Sequence, residues 1–229
     1  MNNSEVAIII PSYNEGERLE QVVRSVLQNG FTSVIVVDDG STDKSIDKLK
    51  KYPVTILTHI INRGAGAATE TGLKYCRDHL NVSAVIMLDA DTQHNPEEIS
   101  GLLSEHIGQK ADNTIGNRFL QDNLEIPMKN RIYNRIANVI TSVFSGKRVR
   151  DSQSGFKVFS RRALNSIVLE QDRYEHCSEI FIKAHEYKLK VIDVPVSVRY
   201  PSEIKMKGQH FLSGVKTFIN LFYSVIFRK

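Results

Sequence analysis

The sequence predicts a single α/β domain with a mostly parallel sheet flanked by helices. Through the first half of the chain, short apolar runs alternate with stretches of helical spacing, which is the pattern of right-handed crossovers between parallel strands. The apolar runs are near-continuous, as in strands buried on both faces. The 229 residues, 41% of them hydrophobic and 24% charged, suffice for one substantial soluble domain.

The order of the elements follows from the same pattern. Strands are predicted at residues 6–10, 33–37, 54–57, 82–88, 112–116 and 191–198. Helices are predicted at residues 19–27, 44–50, 65–79, 96–106 and 130–144, with a further helix beginning near Ser178. The domain is expected to cover residues 1–204, followed by a basic amphipathic tail at 205–229. The apolar spacing of that tail fits a helix in a membrane interface, or one that packs on the core or on a second subunit.

Composition and charge argue against a nucleic-acid-binding, a membrane-spanning or a secreted protein. The net charge of +4 is modest, and we expect no nucleic-acid partner. No apolar run reaches the roughly eighteen residues of a membrane-spanning helix, and the amino-terminal residues lack the pattern of a signal peptide. Cys76 and Cys177 stand far apart without metal-ligand spacing, so we expect reduced thiols in a cytoplasmic protein.

The most informative segment is the end of the fourth predicted strand. There an apolar run stops at Asp89 and Asp91, two carboxylates separated by one residue. Ligands of parallel sheets bind outside the carboxyl ends of the strands, and residues two apart in a strand point to the same side. Two hard oxygen donors suit Mg²⁺ or Mn²⁺. The alternative is a solvated turn in which Asp91 caps the next helix.

Other predicted strands also end in polar residues. Pro11-Ser12-Tyr13-Asn14-Glu15 follows the first strand, where it is either a ligand-binding turn or a helix cap. Asp38 and Asp39 follow the second. Because neighbouring strand residues point oppositely, we expect one to face the crevice and the other to anchor the loop. Asp43 is interpreted as a cap of the next helix. The stretch 62–68 opens a helix, and its small residues fit either phosphate contact or close packing.

These motifs, in this order, resemble family 2 glycosyltransferases with the GT-A fold, and within them the branch of dolichyl-phosphate mannose synthases and polyprenyl-phosphate hexosyltransferases. The resemblance covers about residues 5–205. It implies that Asp39 reads the base of a nucleotide. It implies a divalent metal held by Asp89, Asp91 and Gln93, with His94 as a loop residue. The residues implied to bind the nucleotide are Pro11, Tyr13, Glu15, Asp39, Arg63 and Asp89.

The second half of the chain contains the residues that the resemblance implies for binding the acceptor. Arg118 lies in a Gly-Asn-Arg-Phe motif, and residues 151–157 resemble the family's Asp-x-x-Ser-Gly-Phe motif. Arg131 and Arg135 share one face of a predicted helix. A solvated face is the alternative for each cation. The residues implied to take part in catalysis are Asp91, Asp151, Glu179, Arg118 and Arg131. Those implied to bind the acceptor phosphate are Arg118, Arg131, Ser154, Arg199 and Lys205.

The resemblance therefore implies an enzyme that moves a hexose from a GDP- or UDP-sugar to a polyprenyl phosphate. It implies dependence on Mg²⁺ or Mn²⁺ and inversion at the anomeric carbon. We expect a cytoplasmic protein at the inner face of the membrane. A phosphate acceptor is already ionised and needs cations rather than a base, which fits the arginines. Two alternatives stay open: transfer to a sugar hydroxyl in capsule or cell-wall assembly, and a non-catalytic nucleotide-sugar-binding subunit. The sequence is also compatible with contact with a membrane surface and with assembly into a homo-oligomer.

Overall fold

The architecture is one seven-stranded sheet between two layers of helices. A computed structural model describes residues 3–121 and 126–200. The strands are β1 (Val6–Ser12), β2 (Ser33–Asp38), β3 (Thr55–Thr58), β4 (Ala84–Met87), β5 (Asn113–Asn117), β6 (Lys157–Ser160) and β7 (Val191–Pro195). Their order across the sheet is β3-β2-β1-β4-β6-β5-β7. The predicted α/β class is confirmed.

Most neighbouring strands are parallel. β1 pairs in parallel with β2 and with β4, β2 with β3, and β5 with β7. Among the described strands, β6 alone runs against its neighbours, β4 and β5. From β1 the chain builds outward first to β2 and β3, and then returns to place β4 on the other side. Such a change of direction opens a crevice at the carboxyl ends of the strands, so β1 and β4 position the site.

Residues 3–121 and 126–200 contain six α-helices, which lie around the sheet. They are α1 (Glu17–Gln28), α2 (Ala65–His79), α3 (Ile99–Gly108), α4 (Met128–Ser145), α5 (Arg161–Ser166) and α6 (His176–Glu186). Short 3-10 helices span Asn3–Glu5, Ser45–Leu49 and Pro96–Glu98. Within the described residues, none of these helices combines the length and apolar character that crossing a membrane requires.

The core shows why β1 is central. Ile8 and Ile10 face the layer that holds α1 and α3, whereas Ala7 and Ile9 face the layer of α2, α5 and α6. All four side chains are fully buried. Burial of each isoleucine contributes on the order of 1.5–3 kcal/mol. The strand is therefore fixed on both faces, and the polar residues that follow it are held rigidly at the edge of the sheet.

Several elements differ from the prediction. The helix predicted at 44–50 is a 3-10 helix at Ser45–Leu49, and the helix predicted from residue 96 begins with the 3-10 turn Pro96–Glu98. The last strand ends at Pro195 rather than at residue 198. β6 and α5 were not predicted, because β6 has four residues and begins with a lysine. The boundary at 204/205 and the tail at 205–229 lie outside the described residues.

Candidate active site

Carboxylates converge on one cavity at the carboxyl ends of β1, β2 and β4. This cavity, of about 380 Å³, is called the carboxylate cavity here. Its lining includes Glu15 after β1, Asp39 after β2, and Asp89, Asp91 and Gln93 after β4. The sequence predicted that these strand ends would meet, and they do. One detail differs: β4 ends at Met87, so Asp89 and Asp91 reach the cavity from a turn rather than from the strand.

The turn after β4 concentrates negative charge. Burial raises the pKa of Asp89. Burial and the nearby Asp89 together raise the pKa of Asp91 to about 7. The Asp91 Oδ1 atom accepts the backbone N–H of Gln93 at 2.9 Å, and Thr92 has a positive φ of 67° that closes the turn. Two carboxylates whose charged forms are disfavoured in this way are stabilised by a bound cation.

Gly155 fixes the other side of Asp89. A Cβ atom at this position would lie 1.7 Å from Oδ2 of Asp89, well inside any allowed contact. The backbone at Gly155 therefore holds the carboxylate against the turn after β4, and only glycine leaves room for it. The Asp89 carboxylate therefore packs directly over Gly155, and Asp89 lines both the carboxylate cavity and its neighbour.

The residues of this turn fit a divalent metal in their chemistry. Asp89 and Asp91 supply hard oxygens, and Mg²⁺ or Mn²⁺ normally completes its shell with water and substrate phosphate. Across residues 3–121 and 126–200, however, no three histidine, cysteine or acidic side chains cluster as a ready-made metal site. A third protein ligand would therefore come from the amide oxygen of Gln93, which lines the same cavity.

Both members of the Asp38-Asp39 pair anchor loops. Oδ1 of Asp38 accepts the N–H of Ser41 at 2.9 Å. Asp39 is buried and accepts four hydrogen bonds, two at each oxygen. The donors are His59 Nδ1, Asn62 Nδ2 and the backbone N–H groups of Arg63 and Gly64, at 2.7–2.9 Å. A carboxylate has about four lone-pair positions, so a base N–H that binds Asp39 must displace one of these donors.

The remaining residues predicted for the nucleotide surround this end of the cavity. Pro11 and the half-exposed Tyr13 line it directly. Glu15 also lines it and forms an ion pair with Arg18 at 2.6 Å. Arg63 points outward and pairs with Asp172 at 3.1 Å. Asp43, predicted as the cap, lies one residue before the N-cap residue Lys44, and its carboxylate accepts the N–H groups of Ser45 and Gly16.

A second cavity, of about 580 Å³, adjoins the first and is called the cationic cavity here. Its lining includes Arg118, Lys129 and His176, and of the described carboxylates only Asp89. The two cavities share part of their walls. The residues common to both linings are Pro11, Ala65, Asp89, Gln93 and Tyr174. A ligand in one cavity can therefore meet a ligand in the other beside Asp89.

Arg118 and Asp151 form a buried ion pair at the base of the cationic cavity. The guanidinium donates from Nε and Nη2 to the two oxygens of Asp151 at 2.9 and 2.7 Å, and the Arg118 backbone N–H donates to the same carboxylate. Although burial disfavours the cation, Asp151 raises the pKa of Arg118. A carboxylate that accepts three such bonds is poorly placed to act as a general base.

The predicted Asp-x-x-Ser-Gly-Phe motif is a structural turn around this pair. Ser154 is buried and donates from Oγ to the carbonyl of Gly116 at 2.6 Å. Lys157 is also buried, and its ammonium group donates to the carbonyl of Ser154. Its charge lies close enough to Asp89 to oppose the rise of that carboxyl's pKa. Lys157 received no role from the sequence, because a lysine after an apolar residue usually indicates a solvated position.

His94 also lies in this buried region. Its ring centroid lies 5.4 Å from that of Phe156, and among the described residues its Nδ1 atom has no hydrogen-bond partner. Burial, with a further contribution from Arg118, lowers the pKa of His94 to about 3. His94 is therefore a neutral residue that packs behind the turn.

Several predicted acceptor residues do not line the cationic cavity. Glu179 accepts the N–H groups of Glu170 and Gln171 and pairs with Lys183, so its carboxylate holds the loop before α6. Arg131 is exposed on α4 and donates from Nε to the carbonyl of Ile126. Arg135 borders a different cavity. The backbone N–H of Arg199 donates to Gln93, next to the turn. Lys205 lies outside the described residues.

The sequence analysis missed residues that do reach the cavity. Lys129, Asn130 and Tyr133 on α4 line it, as do His176 and Cys177 at the start of α6. Nε2 of His176 lies 3.6 Å from Sγ of Cys177. Although burial disfavours both ions, their pairing raises the pKa of His176 and lowers that of Cys177. Adjacency in the sequence could have indicated the last pair, whereas the α4 residues resemble any helix surface.

The chain belongs to Glycosyl transferase family 2, whose profile matches residues 7–168. An uncharacterized protein from Methanocaldococcus jannaschii is 34% identical, over 99% of this chain and 95% of its own length. A UDP-N-acetylglucosamine–dolichyl-phosphate N-acetylglucosaminyltransferase from Methanococcus voltae is 31% identical over 96% of both chains. A dolichol-phosphate mannosyltransferase from Pyrococcus furiosus is 29% identical over 90% of this chain, which spans 60% of that relative. The predicted family and enzyme class, a hexosyltransferase, are thereby confirmed.

Solved structures support the predicted GT-A fold. Glucosyl-3-phosphoglycerate synthase from Mycobacterium tuberculosis, in complex with Mn²⁺, uridine diphosphate and glucosyl-3-phosphoglycerate, superposes with a TM-score of 0.74. The match covers 97% of this chain and 79% of that one, at 15% identity. The same enzyme in complex with phosphoglyceric acid gives a TM-score of 0.75 at 16% identity. At these identities the likeness shows the fold alone.

Proposed function

We propose that this protein transfers a hexose from a nucleotide sugar, with a GDP or UDP carrier, to the phosphate of a polyprenyl phosphate. The observation that carries the proposal is the pair of adjoining cavities. Four carboxylates and two arginines line one, two cations and a single carboxylate line the other, and Asp89 and Gln93 line both. The names of the Methanococcus and Pyrococcus relatives support a dolichyl-phosphate acceptor.

In this proposal the carboxylate cavity binds the donor. Tyr13 and the Asp39 loop lie at the base end, with Pro11 and Glu15 beside them and Arg63 at the outer edge. The diphosphate lies at the turn after β4, where Asp89, Asp91 and Gln93 would hold Mg²⁺ or Mn²⁺. When bound, the metal would neutralise the charge of the departing nucleoside diphosphate. Gly155 keeps Asp89 in the orientation that this role requires.

The cationic cavity binds the acceptor phosphate in this proposal. One phosphate oxygen attacks the anomeric carbon, a new carbon–oxygen bond forms, and the bond to the nucleoside diphosphate breaks on the opposite side, which inverts the centre. Lys129 and the Arg118 guanidinium orient the anion, while Arg131 and Arg199 supply positive potential from its surroundings. No proton has to be removed, so Asp151 and Glu179 position loops instead of acting as bases.

A hydroxyl acceptor normally needs a general base. Of the described residues in the cationic cavity, His176 is engaged by the carbonyl of Arg173 and by Cys177, which disfavours that role. Asp89 is the only described carboxylate in its lining, and the proposal assigns Asp89 to the metal. A non-catalytic nucleotide-sugar-binding subunit would not need Asp89, Asp91 and Gln93 together. The acceptor is a membrane lipid, so we place the reaction at the inner face of the cytoplasmic membrane.

The direct test is an acceptor comparison with one donor panel. UDP-N-acetylglucosamine, UDP-glucose and GDP-mannose, each radiolabelled in the sugar, are incubated with a short polyprenyl phosphate, the matching polyprenol or a saccharide, in Mn²⁺ or in EDTA. We expect one donor to label the polyprenyl phosphate in Mn²⁺ and neither other acceptor. Labelling of the saccharide or of the polyprenol at a similar rate would contradict the proposal.

A further inference from the structure

The last residue of β1 has a buried hydroxyl group that no described protein group engages. Ser12 is only 5% exposed, and among the described residues its Oγ atom has no hydrogen-bond partner. The Ser12 carbonyl, in contrast, accepts the backbone N–H of Asp39 at 2.9 Å. Because a buried hydroxyl without a partner costs free energy, such groups are rare in folded proteins. Ser12 lines the carboxylate cavity, so a ligand there could supply the missing partner.

The sheet places Ser12 midway along this cavity. β1 lies between β2, which Asp39 follows, and β4, which is followed by the turn with Asp89 and Asp91. Ser12 is in register with Asp38 at the end of β2. Neighbouring strands lie about 4.8 Å apart, so the ends of β2 and β4 are separated by roughly 10 Å. The Ser12 hydroxyl therefore lies between Asp39 on one side and the two carboxylates of the turn on the other.

The order of groups in a nucleoside diphosphate matches this order of strand ends. In the proposed function, on which this step rests, the base lies at the Asp39 loop and the diphosphate at the turn after β4. The ribose joins the base to the diphosphate, so it would lie over the end of β1. A ribose hydroxyl can donate or accept a hydrogen bond, and so can the hydroxyl of Ser12. The two groups are therefore chemically matched in either direction.

We propose that the Ser12 hydroxyl binds a ribose hydroxyl of the donor nucleotide and makes the site selective for ribonucleotide carriers. Two neighbours in the cavity lining offer no substitute for it. Pro11 has no polar side-chain atom, and the Asp39 carboxylate already accepts four hydrogen bonds. A site that hydrogen-bonds a substrate hydroxyl discriminates against an analogue that lacks it, because the buried protein group is then left without a partner.

Removal of this hydroxyl should affect stability and binding differently. In the ligand-free protein no described partner of the Ser12 hydroxyl is lost, so Ser12→Ala should unfold at the temperature of the wild type or slightly above it. Nucleotide affinity should fall, because the ribose hydroxyl loses its partner. A hydroxyl with a structural role behaves in the opposite way, since its removal lowers the stability of the ligand-free protein. The combination of unchanged stability and weaker binding therefore identifies a group that serves a ligand.

The test is calorimetry in Mn²⁺ with the full chain and three nucleotides. They are UDP or GDP, whichever binds the wild type more tightly, and two analogues of it that each lack one ribose hydroxyl. We expect Ser12→Ala to weaken binding of the parent nucleotide about tenfold, the effect of one hydrogen bond. One analogue should bind the wild type about tenfold more weakly and should bind Ser12→Ala no more weakly still. The matched control is Ser45→Ala, a buried serine outside the cavity lining, which should bind all three nucleotides like the wild type.

Three results would overturn the assignment of Ser12. They are unchanged affinity in Ser12→Ala, equal weakening of the parent nucleotide and both analogues, and a marked fall in the unfolding temperature of the ligand-free variant. The proposed function is tested separately by labelling of the polyprenyl phosphate. If ribose-dependent binding through Ser12 is observed but no lipid is labelled, the proposed function fails and the ribose contact stands. If lipid is labelled and binding does not depend on Ser12, the proposed function stands and the ribose contact fails.

Discussion

The two cavities lie at the same end of the sheet but differ in the charged residues that line them. The carboxylate cavity collects four carboxyl groups that follow three parallel strands, together with Arg18 and Arg173, so these groups are in place before any ligand binds. The four are Glu15, Asp39, Asp89 and Asp91. The cationic cavity draws Arg118 and Lys129 from β5 and α4, and its one described carboxylate is shared. The first is built to attract a cation, and the second to attract an anion. In the proposed function, this difference in charge would direct the metal-bound donor to the first cavity and the acceptor phosphate to the second.

The two cavities also differ in how their charges are held. Arg118 has a buried partner in Asp151, which fixes its guanidinium in place. Asp89 and Asp91 are close to each other and have raised pKa values, so their arrangement is completed only by a ligand. The cationic cavity is therefore preorganised by the protein, whereas the carboxylate cavity depends on what binds there. The following predictions test this difference.

The largest loss of activity is expected from a substitution at Gly155, beside the Asp89 carboxylate that lines both cavities. Gly155→Ala places a Cβ atom where Asp89 Oδ2 lies, so the carboxylate must rotate away from the turn. We expect loss of transfer by at least about 1000-fold, of the order found when a single charge-stabilising group is removed. Mn²⁺ binding in the presence of nucleoside diphosphate should be lost as well, which calorimetry measures.

The control for this variant is Gly101→Ala on α3, where an added Cβ meets nothing within 4 Å. This change should keep activity and raise stability slightly, since alanine is the better helix former. Wild-type Mn²⁺ binding in Gly155→Ala would show that Asp89 does not need this orientation.

The second prediction concerns the buried ion pair between Arg118 and Asp151 at the cationic cavity. Asp151→Ala removes the carboxylate partner of the buried Arg118 guanidinium. We expect the free energy of unfolding, measured with urea, to fall by about 3–5 kcal/mol. Asp78→Ala breaks the exposed pair with Lys74 and should leave the free energy nearly unchanged, because exposed pairs are screened by water. An Asp151→Ala variant of normal stability that lacks activity would instead identify Asp151 as a base.

The third prediction is a pH dependence of metal binding. The pKa of Asp91 in the folded protein is about 7, above its ordinary value of 3.8, so the proton is retained up to neutral pH. Mn²⁺ competes with this proton. Between pH 5 and pH 7 the dissociation constant should therefore fall by up to about tenfold per pH unit, and above pH 8 it should level off.

The same shift predicts how the metal-free protein responds to pH. The raised pKa means that a protonated Asp91 favours folding below the unfolded value, and that this contribution is lost as the pH rises through about 7. Asp91→Asn should remove this part of the pH dependence in thermal unfolding. A profile that is the same in wild type and in Asp91→Asn would show that another group is responsible.

The carboxylate cavity could be predicted from the sequence because the motifs that form it are short segments at the ends of predicted strands. Asp89 and Asp91 follow a continuous apolar run, and the rule that parallel strands end at one edge brings them to Glu15 and Asp39. The sequence did not predict that Asp39 accepts four hydrogen bonds. The donors lie in residues 59–64, at least twenty positions further along the chain. Hydrogen bonds that depend on the path of a loop leave no periodic pattern.

The acceptor side was predicted less well because it depends on tertiary contacts. The motif at 151–157 was noticed, but its pairing with Arg118 joins residues 33 positions apart. Arg131 and Lys129 are neighbours on α4, yet only Lys129 lines the cavity, and the helix pattern alone could not decide between them.

The most direct test of the account is to measure donor hydrolysis and transfer to a short polyprenyl phosphate in the same three proteins. Hydrolysis needs only the carboxylate cavity, whereas transfer needs both. Asp91→Asn should abolish both reactions, because the diphosphate loses its metal. Lys129→Gln should raise the KM for the acceptor and lower transfer about tenfold, with hydrolysis at the wild-type rate. If Lys129→Gln lowers both reactions equally, or if Asp91→Asn retains either one, the division of labour between the two cavities is contradicted.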